Sequence, residues 1–210
     1  LVQRQTITQS GATFKGRPAT EGSEFMASPD TWFRPVFSAN GPDGASYICD
    51  MYRKILDHPR YLPEHIRDKL DYDAGKSMGR IYRMVRKGAK PKTNPDLSSP
   101  STAKLIAHLN DRVAWVRETA FRLLTESADK EIPALLRKAR LSTPTGRVAA
   151  WRLIANKSEL SNAEIVKLLS DRSPRVREQG IQLSEDRLED STIASLVRTL
   201  AEDPDSFSCI

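Results

Sequence analysis

The residue types with the widest chemistry, cysteine and histidine, are few and scattered in this chain. Cys49 and Cys209 lie far apart and form neither a CxxC nor a CxxCH motif, which argues against a thiolate zinc site and covalent haem attachment. They give no disulfide framework either. The three histidines, His58, His65 and His108, lack the spacing of metal ligands. We therefore assign no metal site.

Other arrangements that commonly carry enzymatic chemistry are also missing from the sequence. It contains no serine or cysteine triad, no carboxylate pair and no glycine-rich phosphate loop. The residue types and their spacing therefore identify no catalytic group.

The clearest charged feature is a basic run between Asp73 and Asp96, in a chain whose net charge is +6. The run contains no acid and seven basic residues: Lys76, Arg80, Arg83, Arg86, Lys87, Lys90 and Lys92. Such a run can bind phosphate or an acidic surface, but a strand flanked by a solvated basic linker accounts for the same residues. Because Tyr82 is the one aromatic residue within it, a platform for stacked bases is disfavoured. We expect no nucleic acid partner.

The second half must position its side chains on helices, because it repeats with a period of 30 residues. Three features recur at this step: an arginine (Arg117, Arg147, Arg177), a small residue (Ala120, Ala150, Gly180) and a leucine (Leu123, Leu153, Leu183). Apolar pairs that precede them recur likewise, at Leu105-Ile106, Leu135-Leu136 and Ile165-Val166. Each unit is therefore predicted to be a helical hairpin, stacked on its neighbours because it cannot bury its apolar face alone.

The turns inside these units resemble those of HEAT repeats, whose second helix often opens with D-x-x-x-x-V-R. Asp111 to Arg117 and Asp171 to Arg177 match this pattern, whereas the middle unit has Gly146 at the valine position. We predict three full repeats and a partial one over residues 192–207. The periodic arginines are interpreted as structural, each reaching the acid of the adjoining turn, and Trp115 and Trp151 as core or ridge residues.

The first half reads as a small antiparallel sheet. Residues 31–52 predict a hairpin around the turn Gly41-Pro42-Asp43-Gly44, because proline and glycine suit its central and last positions. Residues 79–85 predict an outer strand that alternates apolar and basic side chains. Between them, residues 53–78 read as an insertion with a short helix near residues 63–70.

Three segments of this half carry a family resemblance: S-x-D-x-W-F-R-P-V from Ser28 to Val36, G-P-D-G-x-x-Y-x-x-D-M-Y-R from Gly41 to Arg53, and G-R-I-Y-R from Gly79 to Arg83. They resemble the last propeller blade of the membrane-bound dehydrogenase family of planctomycetes and verrucomicrobia, relatives of quinoprotein glucose and sorbosone dehydrogenases. In that family HEAT-like repeats follow the propeller, and a cytochrome c domain commonly follows them.

The resemblance implies a two-part α+β chain. Residues 1–86 would form a terminal propeller blade with a helical insertion, residues 87–96 a basic, proline-containing linker, and residues 97–210 a HEAT-like α-solenoid. Both ends look cut from a longer chain, so we expect a fragment that is inactive by itself. A haem c group would belong only to an absent downstream domain, and the family's catalytic histidine to an earlier blade.

For function, the resemblance implies an extracytoplasmic, for instance periplasmic, dehydrogenase of sugars or polyols that uses pyrroloquinoline quinone (PQQ). By position Arg34 corresponds to one of two family arginines that hold the quinone carboxylates, and Trp32 stands in place of the other. Asp50, Tyr52 and Arg53 would line the channel mouth. The alternatives are a salt bridge that closes the propeller for Arg34, and a loop cap with packing neighbours for the other three.

The implied partners are the substrate, a cytochrome c acceptor, and a protein bound by the HEAT-like surface. A second hypothesis is a propeller without chemistry whose solenoid binds a protein or a polysaccharide. The sequence has no apolar run of the roughly 20 residues that a membrane span needs, and its start lacks the order of a signal peptide.

Overall fold

The computed structural model describes residues 1–11, 13–56, 58–89 and 93–205. It has a mixed architecture of two small antiparallel sheets and a set of helices. The chain divides into two compact units, which are described separately below. One unit takes residues 1–9 and 14–93, and the other takes residues 10–13 together with the chain from Asn94 onward.

The first unit holds both sheets. Strands β1 (Gln5–Ser10) and β2 (Thr13–Pro18) form a two-stranded sheet. Strands β3 (Pro35–Asn40), β4 (Ser46–Asp50) and β5 (Arg80–Met84) form a three-stranded antiparallel sheet in the order β3-β4-β5. The predicted hairpin and the predicted outer strand are therefore confirmed.

The turn between β3 and β4 follows from its residue types. The amide of Gly44 donates to the carbonyl of Gly41 at 3.0 Å, and Gly44 has φ +76°, a conformation that glycine adopts without steric cost. Asp43 then accepts a hydrogen bond from the amide of Ala45 at 3.0 Å. The GPDG segment is thus a structural turn.

The two faces of the three-stranded sheet differ in burial. On the inner face Ile48 is 2% exposed and pairs with Tyr82, whose ring meets the buried Phe33 edge-on. On the outer face Phe37, Cys49 and Ile81 form one cross-strand row. Phe37 and Ile81 are 65% and 67% exposed, so this outer face presents apolar side chains to solvent.

The insertion between β4 and β5 is largely irregular. It contains a 3-10 turn at Pro59–Tyr61 and a single-turn helix α1 at Glu64–Arg67, which begins directly after Pro63. The predicted short helix is confirmed but is shorter than the predicted 63–70.

The second unit has seven α-helices and one 3-10 turn, Glu185–Arg187, in the described residues. The α-helices are α2 (Thr102–His108), α3 (Ala114–Glu126), α4 (Ile132–Lys138), α5 (Pro144–Lys157), α6 (Asn162–Leu169), α7 (Pro174–Gln182) and α8 (Ser191–Leu200). Contacts pair α2 with α3, α4 with α5 and α6 with α7. The predicted helical hairpins are confirmed, and α8 lies in the predicted partial unit.

The hairpins share one continuous core. The second helices contact one another from α3 to α5 to α7, and α6 contacts α8. Ala120 and Ala150 are buried at the recurring small position. At the third such position a Cβ on Gly180 would lie 3.0 Å from backbone and Cβ atoms of Leu168, so α6 and α7 approach closely here. Gly180 therefore has little room for a side chain.

Two of the three periodic arginines bind the acid of the next turn, as predicted. Arg147 donates from Nε and Nη2 to the carboxylate of Asp171, at 3.1 and 2.8 Å. Arg177 binds Asp203 in the same way, at 2.7 and 2.8 Å. Arg117 reaches Asp111 of its adjoining turn at the backbone carbonyl, at 2.8 Å. It forms no carboxylate pair among the described residues, and Leu141 stands 24 residues further on, where Arg147 has Asp171.

A third ion pair joins neighbouring hairpins, on the side of the first helices. Arg137 of α4 donates from Nε to Glu164 of α6 at 2.6 Å. Glu164 also closes a capping box with Ser161 at the start of α6. The hydrogen bond from Arg137, with those from Ser161, lowers the pKa of Glu164 from 4.5 to about 2.

None of the helices among the described residues is long and apolar enough to cross a membrane.

We predict that Glu164→Gln lowers the free energy of unfolding by about 1–2 kcal/mol at neutral pH, since the half-exposed Arg137 is partly screened by water. The folded-state pKa lies below the unfolded one, so this contribution is complete above about pH 4.5. It is lost as the pH falls toward 2. Urea unfolding followed by circular dichroism at several pH values measures the difference.

Glu126→Gln is the matched control, because Glu126 forms an exposed pair with Arg122 within one helix. It should change the unfolding free energy by less than about 0.5 kcal/mol at any pH. A Glu164→Gln effect that persists unchanged at low pH would contradict the linkage.

Candidate functional site

The residues predicted to line a site lie together in the first unit, where the chain enters β3 and leaves β4. The amide of Met51 donates to the carbonyl of Arg34 at 2.9 Å, and the amide of Arg53 to the carbonyl of Trp32 at 3.1 Å. This backbone pairing continues the β3-β4 ladder beyond the strands. It places Arg34, Tyr52 and Arg53 beside one another.

Asp50 anchors this region from the inside. Its side chain is fully buried, and Oδ1 accepts hydrogen bonds from the amides of Arg34 and Tyr52 at 2.8 and 2.9 Å. Oδ2 has no hydrogen-bond partner among the described residues and faces Nε of Arg80 at 3.6 Å. The geometry matches the loop-cap alternative for Asp50.

Tyr52 occupies a strained position next to this carboxylate. It has φ +49°, an uncommon backbone conformation for a bulky residue. The guanidinium of Arg80 stacks on its ring at 3.7 Å, and its hydroxyl donates to Asp30 at 2.7 Å. The hydrogen bonds from the Trp32 amide and the Tyr52 hydroxyl lower the pKa of Asp30, and the one to Asp30 raises the pKa of Tyr52.

A close backbone approach fixes the same loop from the other side. Gly75 has φ +89°, and a Cβ there would lie 2.3 Å from the carbonyl oxygen of Tyr52. Nη1 of Arg53 reaches the carbonyl of Asp73 at 3.5 Å. The insertion that contains α1 is therefore tied to the Tyr52 backbone by contacts that only glycine permits at position 75.

Arg34 binds backbone carbonyls and has no carboxylate partner among the residues described. Nη1 donates to the carbonyls of Thr31 and Phe33, and Nη2 to that of Lys54 at 3.2 Å. Of its five N–H donors, Nε–H and one Nη2–H remain, which is the number that a carboxylate binding side-on requires. The salt-bridge alternative for Arg34 stays a prediction, because a carboxylate that closes a propeller could come from another blade.

Two members of this cluster, Asp30 and Arg80, were missed as site residues. Both stand inside the quoted motifs, Asp30 in the first and Arg80 in the third. Their charge and their position at a strand end were the available signals, but only the fold brings them to Tyr52. The cluster offers aromatic surface and three arginines against two carboxylates, which suits binding of an anionic group.

Three of the seven residues of the basic run form internal pairs. Arg83 binds Asp43 at 2.6 Å, Arg80 faces Asp50, and Lys76 pairs with Asp73 at 3.3 Å. Lys90 and Lys92 lie outside the described residues. No group of three or more His, Cys, Asp or Glu side chains in the described part of the chain could hold a metal ion.

Residues 1–88 match the model of a domain of unknown function, DUF7133. The match covers the sheet-bearing part of the chain and ends before the first repeat helix. No curated protein and no solved structure matches the chain.

We predict that Asp50→Ala lowers the free energy of unfolding by about 2–4 kcal/mol, because it leaves two part-buried amides without their acceptor and removes the buried charge that faces Arg80. Asp50→Asn should cost less, since its carbonyl oxygen still accepts from the amides. Near-UV circular dichroism during urea unfolding measures both variants. Asp68→Asn, at an exposed acid after α1, is the control and should have no measurable effect. Equal losses of unfolding free energy for Asp50→Ala and Asp68→Asn would contradict the anchoring role of Asp50.

Proposed function

We propose that this chain is the C-terminal part of an extracytoplasmic sugar or polyol dehydrogenase of the quinoprotein propeller type. In this proposal the three-stranded sheet is the last blade, and the helical unit is a HEAT-like interaction module. The observation that carries the proposal is that three separate motif segments meet in one sheet and its end cluster. They do so around Arg34, the residue that the family resemblance assigns to the cofactor.

The exposed apolar row on the outer face supports the blade assignment. A sheet with apolar side chains on both faces needs a second sheet against it, and blades of a propeller provide this for one another. Phe37 and Ile81, at 65% and 67% exposure, would then be covered by the neighbouring blade of the parent protein.

Arg34 fits the cofactor role by its donor count. PQQ, when bound, supplies the hydride acceptor, and the two N–H donors of Arg34 that are left would hold one of its carboxylates. Asp50 does not fit as a ligand for such a group, because it is itself a buried carboxylate. Tyr52 and Arg53 would contribute a wall of the site, and the catalytic base would come from an earlier blade.

The helical unit supports the interaction role through its stacked hairpins and the inter-repeat arginine–aspartate pairs. Such stacks present extended surfaces along their second helices. A protein partner, including a cytochrome c that accepts electrons, is the proposed occupant.

The direct test uses the full-length parent protein. We expect PQQ to bind in an absorbance titration and a sugar or polyol to drive reduction of an electron-accepting dye. Arg34→Ala should weaken quinone binding at least tenfold, because it removes a charge-assisted pair of hydrogen bonds. Arg17→Ala, at an exposed arginine on β2, should leave binding unchanged.

Arg34→Lys keeps the positive charge but loses the planar pair of donors, so it should fold and still bind quinone more weakly than the parent protein. A parent protein that folds and binds no quinone would overturn the dehydrogenase proposal. It would favour a second candidate, a propeller without chemistry that acts as a binding scaffold. Two observations favour this second candidate. Arg34 already binds backbone carbonyls, and Trp32 stands where the family has its other arginine.

The blade assignment predicts opposite outcomes for Ile81→Lys in two settings. In the 210-residue chain the side chain is exposed, so the free energy of unfolding should change by less than about 0.5 kcal/mol. In the full-length parent the same change would bury a charge between sheets and cost several kcal/mol. Thermal unfolding of both proteins measures this, and Thr6→Lys on β1 is the control. Equal tolerance in both settings would contradict a covering blade.

A further inference from the structure

The helical unit has a groove of about 540 Å³ that runs across the second helices α3, α5 and α7. Its apolar lining includes Phe121, Val148 and Ala149, from α3 and α5. Polar and charged side chains, among them Arg117, Arg152 and Gln179, complete the lining. The groove thus combines an apolar strip with guanidinium groups.

Arg117 differs from the other periodic arginines in a way that leaves its charge unneutralised. Like Arg177, which donates from Nη1 to the carbonyl of Asp171 at 2.9 Å, Arg117 donates from Nη1 to the turn before it, to the carbonyl of Asp111 at 2.8 Å. Its Nε and Nη2, which in Arg147 and Arg177 bind a carboxylate, have no such partner in the described part of the chain. Arg117 lacks a carboxylate partner because Leu141 stands at the repeat position where Arg147 finds Asp171.

The other charges of the groove do not cancel this one. Arg152 donates from Nε to the side-chain oxygen of Gln179 at 2.6 Å, a neutral acceptor. Glu178 is already engaged with Arg175 at 3.3 Å. With Glu118, the lining holds three arginines and two glutamates, so it carries net positive charge.

We infer that this groove binds an extended peptide of a partner protein, with an acidic side chain on Arg117 and an adjacent apolar side chain on the strip of Phe121, Val148 and Ala149. In Arg147 and Arg177 the planar pair of donors Nε and Nη2 binds a carboxylate. An Asp or Glu side chain of the peptide would form the same ion pair with Arg117. The inference rests on the proposed interaction role of the helical unit.

The dimensions favour a peptide over a small anion. Three neighbouring helices at spacings of about 8–10 Å span roughly 20 Å between the outer axes. An extended chain rises about 3.3 Å per residue, so about six residues cross the groove. An acidic residue near one end and an apolar residue beside it would meet Arg117 and the strip in one pose.

The test is selection from a phage-displayed library of random heptapeptides on the immobilised 210-residue chain. We expect enrichment of sequences in which Asp or Glu lies next to an apolar residue. A selected peptide, labelled with fluorescein, should bind at least tenfold more weakly to Arg117→Gln by fluorescence anisotropy. Arg122→Gln, on α3 but paired with Glu126 away from the groove, should bind it unchanged.

Leu141→Asp offers a second, independent variant, because it restores the acid of the repeat and should occupy Arg117 internally. Peptide affinity should then fall by a similar factor although every groove residue is retained. Circular dichroism checks that this variant folds, since Leu141 packs against the core; if it does not fold, Arg117→Gln still decides.

Selection without enrichment of acidic residues, no retained peptide, or equal affinity for Arg117→Gln would each overturn the inference. These results would leave dye reduction by the parent protein intact, so failure here is distinguishable from failure of the dehydrogenase proposal.

Discussion

The helical unit depends on arginines that each bind two successive turns at once. Arg177 reaches the carbonyl of Asp171 behind it and the carboxylate of Asp203 ahead of it. Each hairpin buries its apolar face only against its neighbours, so the spacing between hairpins must be held while the core packs. Because the guanidinium is rigid and planar, it fixes that spacing more sharply than apolar contact alone. The Arg137–Glu164 pair holds the other side of the stack in the same way.

The first unit is stabilised in a different way, because its sheet is too small to bury much apolar surface. The chain at the strand ends is held by the buried carboxylate of Asp50, which accepts hydrogen bonds from two backbone amides and faces Arg80. Tyr52 is held in a left-handed conformation between that carboxylate and the backbone of Gly75. Several charged and aromatic side chains are thereby brought to one place by a few polar contacts.

The elements of both units could be predicted from the sequence because their signals are local. The 30-residue period located the hairpins, and the turn residues Pro42 and Gly44 located the junction of β3 and β4. The pairs between elements were harder, because they depend on residues far apart in the chain. Arg117 is an example. It recurs at the same 30-residue step as Arg147, but Leu141 stands where Arg147 has the carboxylate of Asp171.

The candidate site was predictable only in part for the same reason. The family resemblance points to Arg34, Asp50, Tyr52 and Arg53, and the fold brings them together. The sequence does not point to Asp30 and Arg80, because they lie 22 and 28 residues from Tyr52, which they contact in the fold. Alternation in β5 places Ile81 on the opposite face from Arg80 and Tyr82, but it does not tell which of the two faces is exposed.

The outer face of the sheet also contains its own chemical reporter. Cys49 is a half-buried free thiol in the cross-strand row between Phe37 and Ile81. Whatever covers those two side chains must also cover the sulfur. In a protein whose other cysteine, Cys209, is replaced by serine, the alkylation rate of this thiol therefore measures how much of the time the face is open to water.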